Sequence, residues 1–137
     1  MRRILALCLF CLALAAPPAL AQSREKVIEG IISSQIEAFR KDDGAAAFAF
    51  AAPRLKDYFH DERNFMAMVR QGYPQVYRPR DFAFSDLREV NGRLTQFVEI
   101  TDGDGQRWIA AYTMAQQADG SWLIGGCVIL KAPETTV

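Results

Sequence analysis

Three short glycine turns constrain this chain more than any other feature. Asn91-Gly92, Asp102-Gly103-Asp104-Gly105 and Asp119-Gly120 separate runs in which apolar residues recur at every second position. Asparagine or aspartate followed by glycine supplies the positive φ that tight hairpins demand. Links this short leave no room for a crossover, so consecutive runs must pair antiparallel. The spacing predicts four strands, near 82–90, 93–101, 106–117 and 121–130, arranged as a meander. Gly125-Gly126 inside the last strand predicts a bulge or a sharp bend, and hence a curved sheet.

Before Asp81 the period is helical. Ser23 is an expected N-cap, with Glu25 in the first turn, for a helix that runs to about Lys41 and stops at Asp42-Asp43-Gly44. Asp43 is expected to cap a short helix from Ala45 to Ala51 that ends before Pro53. Leu55, Tyr58 and Phe59 suggest a further turn. Asp61 should cap another helix, with Phe65, Met68 and Val69 inward and Gly72 at C′. Pro74 and Pro79 bracket an expected extended crossover, Tyr73 to Arg80. Helices followed by an antiparallel sheet make an α+β fold with the helices on one face.

Residues 1–21 have the pattern of an export leader. Arg2 and Arg3 precede an apolar run, Ile4 to Ala16, and Ala19-Leu20-Ala21 matches a small-residue cleavage site. The run is too short to span a bilayer, which takes roughly 20 apolar residues. Neither Cys8 nor Cys11 follows the small residue a lipoprotein site requires. The expectation is an exported protein without a membrane anchor, periplasmic in a Gram-negative host or otherwise secreted. Its mature part, 22–137, forms one domain. Losing Arg2 and Arg3 leaves 14 basic residues against 16 acidic ones, a net charge of −2. That balance gives no general attraction to nucleic acid. Cys127 is then the one cysteine left, either a free buried thiol or half of an intermolecular disulfide.

Three segments carry a resemblance. QIEAFRKDDGAAAFAFAAP, FMAMVRQGYPQVYRP and DGSWLIGGCVIL resemble the family called domain of unknown function 4864. That family is placed in the nuclear transport factor 2-like superfamily. The resemblance implies a cone of helices cupped by a curved four-stranded sheet. It assigns no activity, because the wider superfamily holds enzymes, binders and scaffolds alike.

The residues themselves offer little catalytic chemistry. His60 is the one histidine, read as a surface or capping residue rather than a general base. Asp42-Asp43-Gly44 and Asp102 to Gly105 lack the spacing of a calcium loop and read as turns. No catalytic residue, metal ligand or cofactor is expected. Gln35 is the better lead: on a helix it falls about 20° from the line through Ile28, amid Ile31, Ile32, Ile36 and Phe39. Gln96 repeats the pattern on the second strand, in a row with Leu94, Val98 and Ile100. The two amides are expected to meet inside the cone, where they satisfy one another, bond to backbone groups and pin the first helix to the sheet, or orient the polar end of a guest. Tyr73, Tyr77 and Arg78 are further pocket candidates; Arg70, Arg78 and Arg80 read as a solvated rim on the crossover, with an anion clasp as the alternative.

Pairing through the turns places Ile109, Ala111, Thr113, Ile124, Gly126 and Val128 on the face of Gln96. The opposite face would then carry Phe97, Trp108, Tyr112, Met114, Leu123 and Ile129. With both faces apolar, one takes the helices and the other requires a partner, hence a homodimer through Trp108, Tyr112 and Met114. The favoured function is a non-enzymatic module that binds a small apolar molecule or a protein partner. The alternative is a cofactor-independent enzyme of isomerase, dehydratase or hydrolase type, which needs an ionisable group inside the cone.

Overall fold

The computed structural model describes residues 23–134; the expected leader lies outside the described residues. Among the described residues five helices precede four strands: α1 (Arg24–Arg40), α2 (Gly44–Ala49), α3 (Pro53–Phe59), α4 (Glu62–Gly72), α5 (Pro74–Tyr77), β1 (Asp81–Val90), β2 (Arg93–Thr101), β3 (Arg107–Gln116) and β4 (Trp122–Lys131). The strands form an open antiparallel sheet in the order β1-β2-β3-β4. The fold is α+β, with the N-terminal helices packed on the sheet.

Local chemistry sets the helix ends. The Ser23 side chain accepts from the Lys26 amide, Asp43 from Ala46 and Asp61 from Asn64, so each start has a capped N–H. At the end of α1, Asp42 takes the left-handed conformation, φ 51°. Its amide donates to Phe39 O and that of Asp43 to Ala38 O, the pair of bonds that closes a helix on a reversed residue. The stretch after Gly72 differs from the expected extended crossover. Pro74 sits at N1 and starts the short helix α5, a position where a missing N–H costs nothing. Gly72 is the last residue of α4 rather than C′, and Met66 is buried while Met68 is half-buried.

The core lies between α1 and one sheet face. Ile28, Ile32, Ile36 and Phe39 of α1 are 0–2 % exposed. They pack in one cluster with Val98, Ile100, Ala110, Tyr112, Met114 and Ile124 of the sheet. Burying each large aliphatic or aromatic chain contributes about 1.5–3 kcal/mol.

The face assignment expected for β3 is corrected by the register. Gln96 pairs with Tyr112, Val98 with Ala110 and Ile100 with Trp108, so Trp108, Tyr112 and Met114 share the helix-covered face with Gln96. The cause is loop length. The link spans five residues, Asp102 to Gln106, because Asp102 Oδ1 accepts from both the Asp104 and Gln106 amides at 2.9 Å. One residue more than the four-residue turn moves every side chain of β3 to the other face. Tyr112 is 1 % and Met114 5 % exposed, and the half-buried Trp108 packs against the same cluster, so that set faces the core and is not a surface for a second copy. Ile109 and Ala111 face outward instead. The bulge at Gly125, between the Thr113–Gly126 and Met114–Ile124 pairs, turns Val128 outward as well and brings Cys127 in beside Tyr112.

The two glutamines do not satisfy one another. β1 carries a bulge between Phe84 and Leu87, and the Gln96 amide fills it: Nε2 donates to Ser85 O and Asp86 O at 3.2 Å and to Phe97 O at 2.9 Å. A bulge leaves carbonyls without ladder partners, and a buried amide from the neighbouring strand supplies them. Gln96→Leu is expected to lower unfolding stability by about 1–3 kcal/mol, measured by urea denaturation. An unchanged midpoint would contradict this role.

Candidate functional site

A cavity of about 390 Å³ opens where the helical cover is incomplete. Its wall is built from Gln35 and Phe39 of α1, Phe65, Met68 and Val69 of α4, and Tyr73 and Val76 beyond it. Tyr112, Ile124, Gly126 and Cys127 form the sheet side, and Leu55, Tyr58 and Phe59 of α3 the rim. Phe65 is the centre of the wall. Its ring lies 5.3 Å from Phe48, 5.6 Å from Phe59 and 6.1 Å from Phe39, in the tilted arrangements that aromatic quadrupoles prefer. α3 sits across the opening. Tyr58 is 75 % exposed, and none of the residues of α3 is buried. The helix is tied to the sheet through the preceding chain, where Ile124 N donates to Phe50 O and Ala52 N to Ile124 O, both at 2.8 Å.

Among the described residues the lining holds no carboxylate, histidine, lysine or arginine. Its polar groups are few. Gln35, 3 % exposed, donates from Nε2 to Ala47 O at 3.2 Å. That carbonyl stands in the last turn of α2, where no helical amide takes it. The Tyr112 hydroxyl is enclosed with no hydrogen-bond partner among the described residues. The Cys127 thiol is close enough to perturb it. Burial, reinforced by that thiol, pushes the Tyr112 hydroxyl well above its ordinary value. Burial likewise pushes Cys127 up to about 12. Cys127 is half-buried as a residue, yet its sulfur stays protonated at neutral pH, the inert form of a cysteine.

Of the five sequence candidates, the structure brings Gln35 and Tyr73 together on this cavity. Gln96 belongs to the β1 bulge. Tyr77 and Arg78 do not line the cavity and instead close over the end of α1. Asp42 accepts from the Tyr77 hydroxyl and, at 2.8 Å, from Arg78 Nη2, and Arg70 lies 3.5 Å from the same carboxylate. Arg78 also donates to Arg40 O. The anion that these arginines clasp is the chain's own Asp42. Arg80 donates to Gly103 O at 2.6 Å, and His60 is exposed at the end of α3. Alternation alone does not make neighbours of Tyr112 and Cys127: Gly125-Gly126 signals an irregularity in β4, but the pairing depends on the five-residue loop as well. Among the described residues no group of side chains is arranged to hold a metal ion, and no helix is long and apolar enough to cross a membrane.

Residues 21–137 match the family described as Domain of unknown function (DUF4864). The chain belongs to that family, and its fold resembles the nuclear transport factor 2-like architecture. No curated protein and no solved structure matches it.

The shifted groups give stability a pH window. Asp42, Asp102 and Asp119 are held below the ordinary carboxylate value of 3.8, chiefly by bonds from Tyr77, Trp108 and Ser121 respectively. Their contribution is present above 3.8 and is lost as pH falls through the lower folded values. Cys127 has its pKa raised from 9.0 to about 12, so its contribution is present below 9 and is lost as pH rises toward 12. Denaturant midpoints should stay level over roughly pH 5 to 8 and fall on both sides. Cys127→Ala should make the alkaline fall shallower. A midpoint that drops between pH 6 and 8 would point to a titrating group that this account lacks.

Proposed function

We propose that this family member is an exported, non-enzymatic module whose cavity binds a small, uncharged, largely apolar molecule. The observation that carries the reading is the lining itself: aromatic, aliphatic and sulfur-bearing side chains with no charged group among them. Pockets that are mostly apolar with a few placed polar groups are the usual form of small-molecule sites. An unfilled apolar cavity also forfeits packing contacts that a filled core would make, and a guest restores them through its binding. The enzyme alternative needs an acid or base that works near neutral pH. Cys127 and Tyr112 are both shifted away from that range.

Binding is tested with naphthalene and naphthalene-2-carboxylate, followed by fluorescence titration. Naphthalene should bind and the carboxylate should not, because the cavity offers its charge no partner. Met68→Trp, which fills the cavity from its wall, should weaken naphthalene at least about tenfold, a loss of about 1.4 kcal/mol. Equal binding by the filled variant, or preference for the carboxylate, would sink the reading.

A second reading concerns the outer sheet face, where Val128 is 57 % and Leu130 51 % exposed. The homodimer belongs there rather than at Trp108, Tyr112 and Met114, since an apolar face of this kind is what a second copy would cover. Light scattering should give a dimer that Val128→Glu dissociates; a monomeric parent protein would rule it out. Export rests on residues 1–21, and protein recovered outside the cytoplasm should begin at Gln22. Uncleaved chain confined to the cytoplasm would contradict it.

A further inference from the structure

We infer that the guest of this cavity carries a hydrogen-bond donor, a hydroxyl or an N–H, on its otherwise apolar body, and that Gln35 Oε1 receives it. The inference rests on the reading of the cavity as a binding site and adds the chemical class of its ligand. The Gln35 amide is fixed in orientation by its bond to Ala47. Nε2 donates to Ala47 O at 3.2 Å. The flipped amide would set two carbonyl oxygens against each other, so the hydrogen-bond network decides which atom points where. Oε1 is then the free end. Among the described residues no donor reaches it, and it is not among the atoms sealed inside the protein, as the Tyr112 hydroxyl is. Gln35 is nevertheless 97 % buried, at 3 % exposure, and it lines the cavity. An acceptor open to the cavity and left without a protein donor takes its hydrogen bond from water or from a guest, and a ligand that donates replaces that water where one that merely accepts cannot.

Tyr58 and Tyr73 also bring hydroxyls to the lining, but the first is exposed to solvent and the second half-buried, whereas Gln35 is buried and held in one orientation. The Tyr112 hydroxyl is enclosed and cannot meet a guest without rearrangement. The protonated Cys127 thiol is a weak hydrogen-bonding group. The wall opposite α1 is aromatic and aliphatic, from Phe65 through Met68 and Val69. A guest would therefore lie with its donor toward α1 and its apolar body against α4 and the rim at α3.

Paired probes that differ only in the donor test this at neutral pH: 2-naphthol, 2-methoxynaphthalene and naphthalene, each titrated into the whole mature protein. 2-Naphthol should bind about tenfold tighter than its methyl ether, the worth of one neutral hydrogen bond. In Gln35→Met, which keeps the length of the side chain and removes the acceptor, the ratio should fall to about one, with circular dichroism confirming the fold. Equal affinities for naphthol and ether in the unmutated protein would overturn the inference while leaving the apolar binding site intact. That result needs no variant, and it is also the result expected if a bound water occupies the acceptor. A tenfold preference that survives in Gln35→Met would equally overturn it, by placing the acceptor elsewhere. Failure of all three probes to bind would instead sink the binding reading, and the inference with it.

Discussion

The carboxylate of Asp102 decides which face of β3 looks at the helices. By holding the amides of Asp104 and Gln106 at 2.9 Å it extends the β2–β3 link to five residues, and Trp108 Nε1 adds a third bond to the same side chain, also 2.9 Å. The side-chain period of a strand is two, so this one residue sets the fate of all the others. Trp108, Ala110, Tyr112 and Met114 go inward as a consequence, and Ile109, Ala111 and Thr113 outward. The Gly125 bulge makes the matching adjustment on β4. Together they create an inner face with aromatic and aliphatic bulk under α1 and a polar pair, Tyr112 and Cys127, beside the opening.

The inner face is covered unevenly. α1 lies along it with four fully buried residues and closes that side. The remaining helices are short, and α3 buries none of its residues. What they leave is a space walled by packed rings and roofed by a loosely held helix. Elements with few buried contacts open at low free energy, which gives a guest a way in without disturbing α1. The same arrangement keeps charge out. The arginines and acids of this region are spent on one another at the surface, around Asp42, and the cavity retains only neutral groups.

Much of the fold was legible because its signals are local. Asparagine–glycine and aspartate–glycine turns, capping aspartates and a two-residue period give strands and helices within a few residues of their observed ends. The burial of Gln35 was legible from helical phase alone. Which sheet face carried which residues was not, because loop length and a bulge each alter the register by a single residue, and Gly125-Gly126 signals the irregularity without fixing its effect on the pairing. The meeting of Gln35 with Gln96 failed for a related reason. Each amide found an orphaned backbone carbonyl closer at hand, Ala47 O for one and the β1 bulge for the other. Tyr77 and Arg78 had the composition of an anion site, but a left-handed Asp42 occupies it, and only the closure of α1 on itself reveals that.

Binding of an apolar guest requires a preformed apolar cavity beside Gln35 in the unliganded protein. Crystals pressurised with xenon test it directly, since such cavities take up that atom without needing any polar contact. Xenon should appear between Phe65, Met68 and Cys127, and should be absent from the same place in Met68→Trp. Crystals of the unmutated protein in which the space is collapsed, with α3 packed down onto the sheet and no xenon bound, would contradict it.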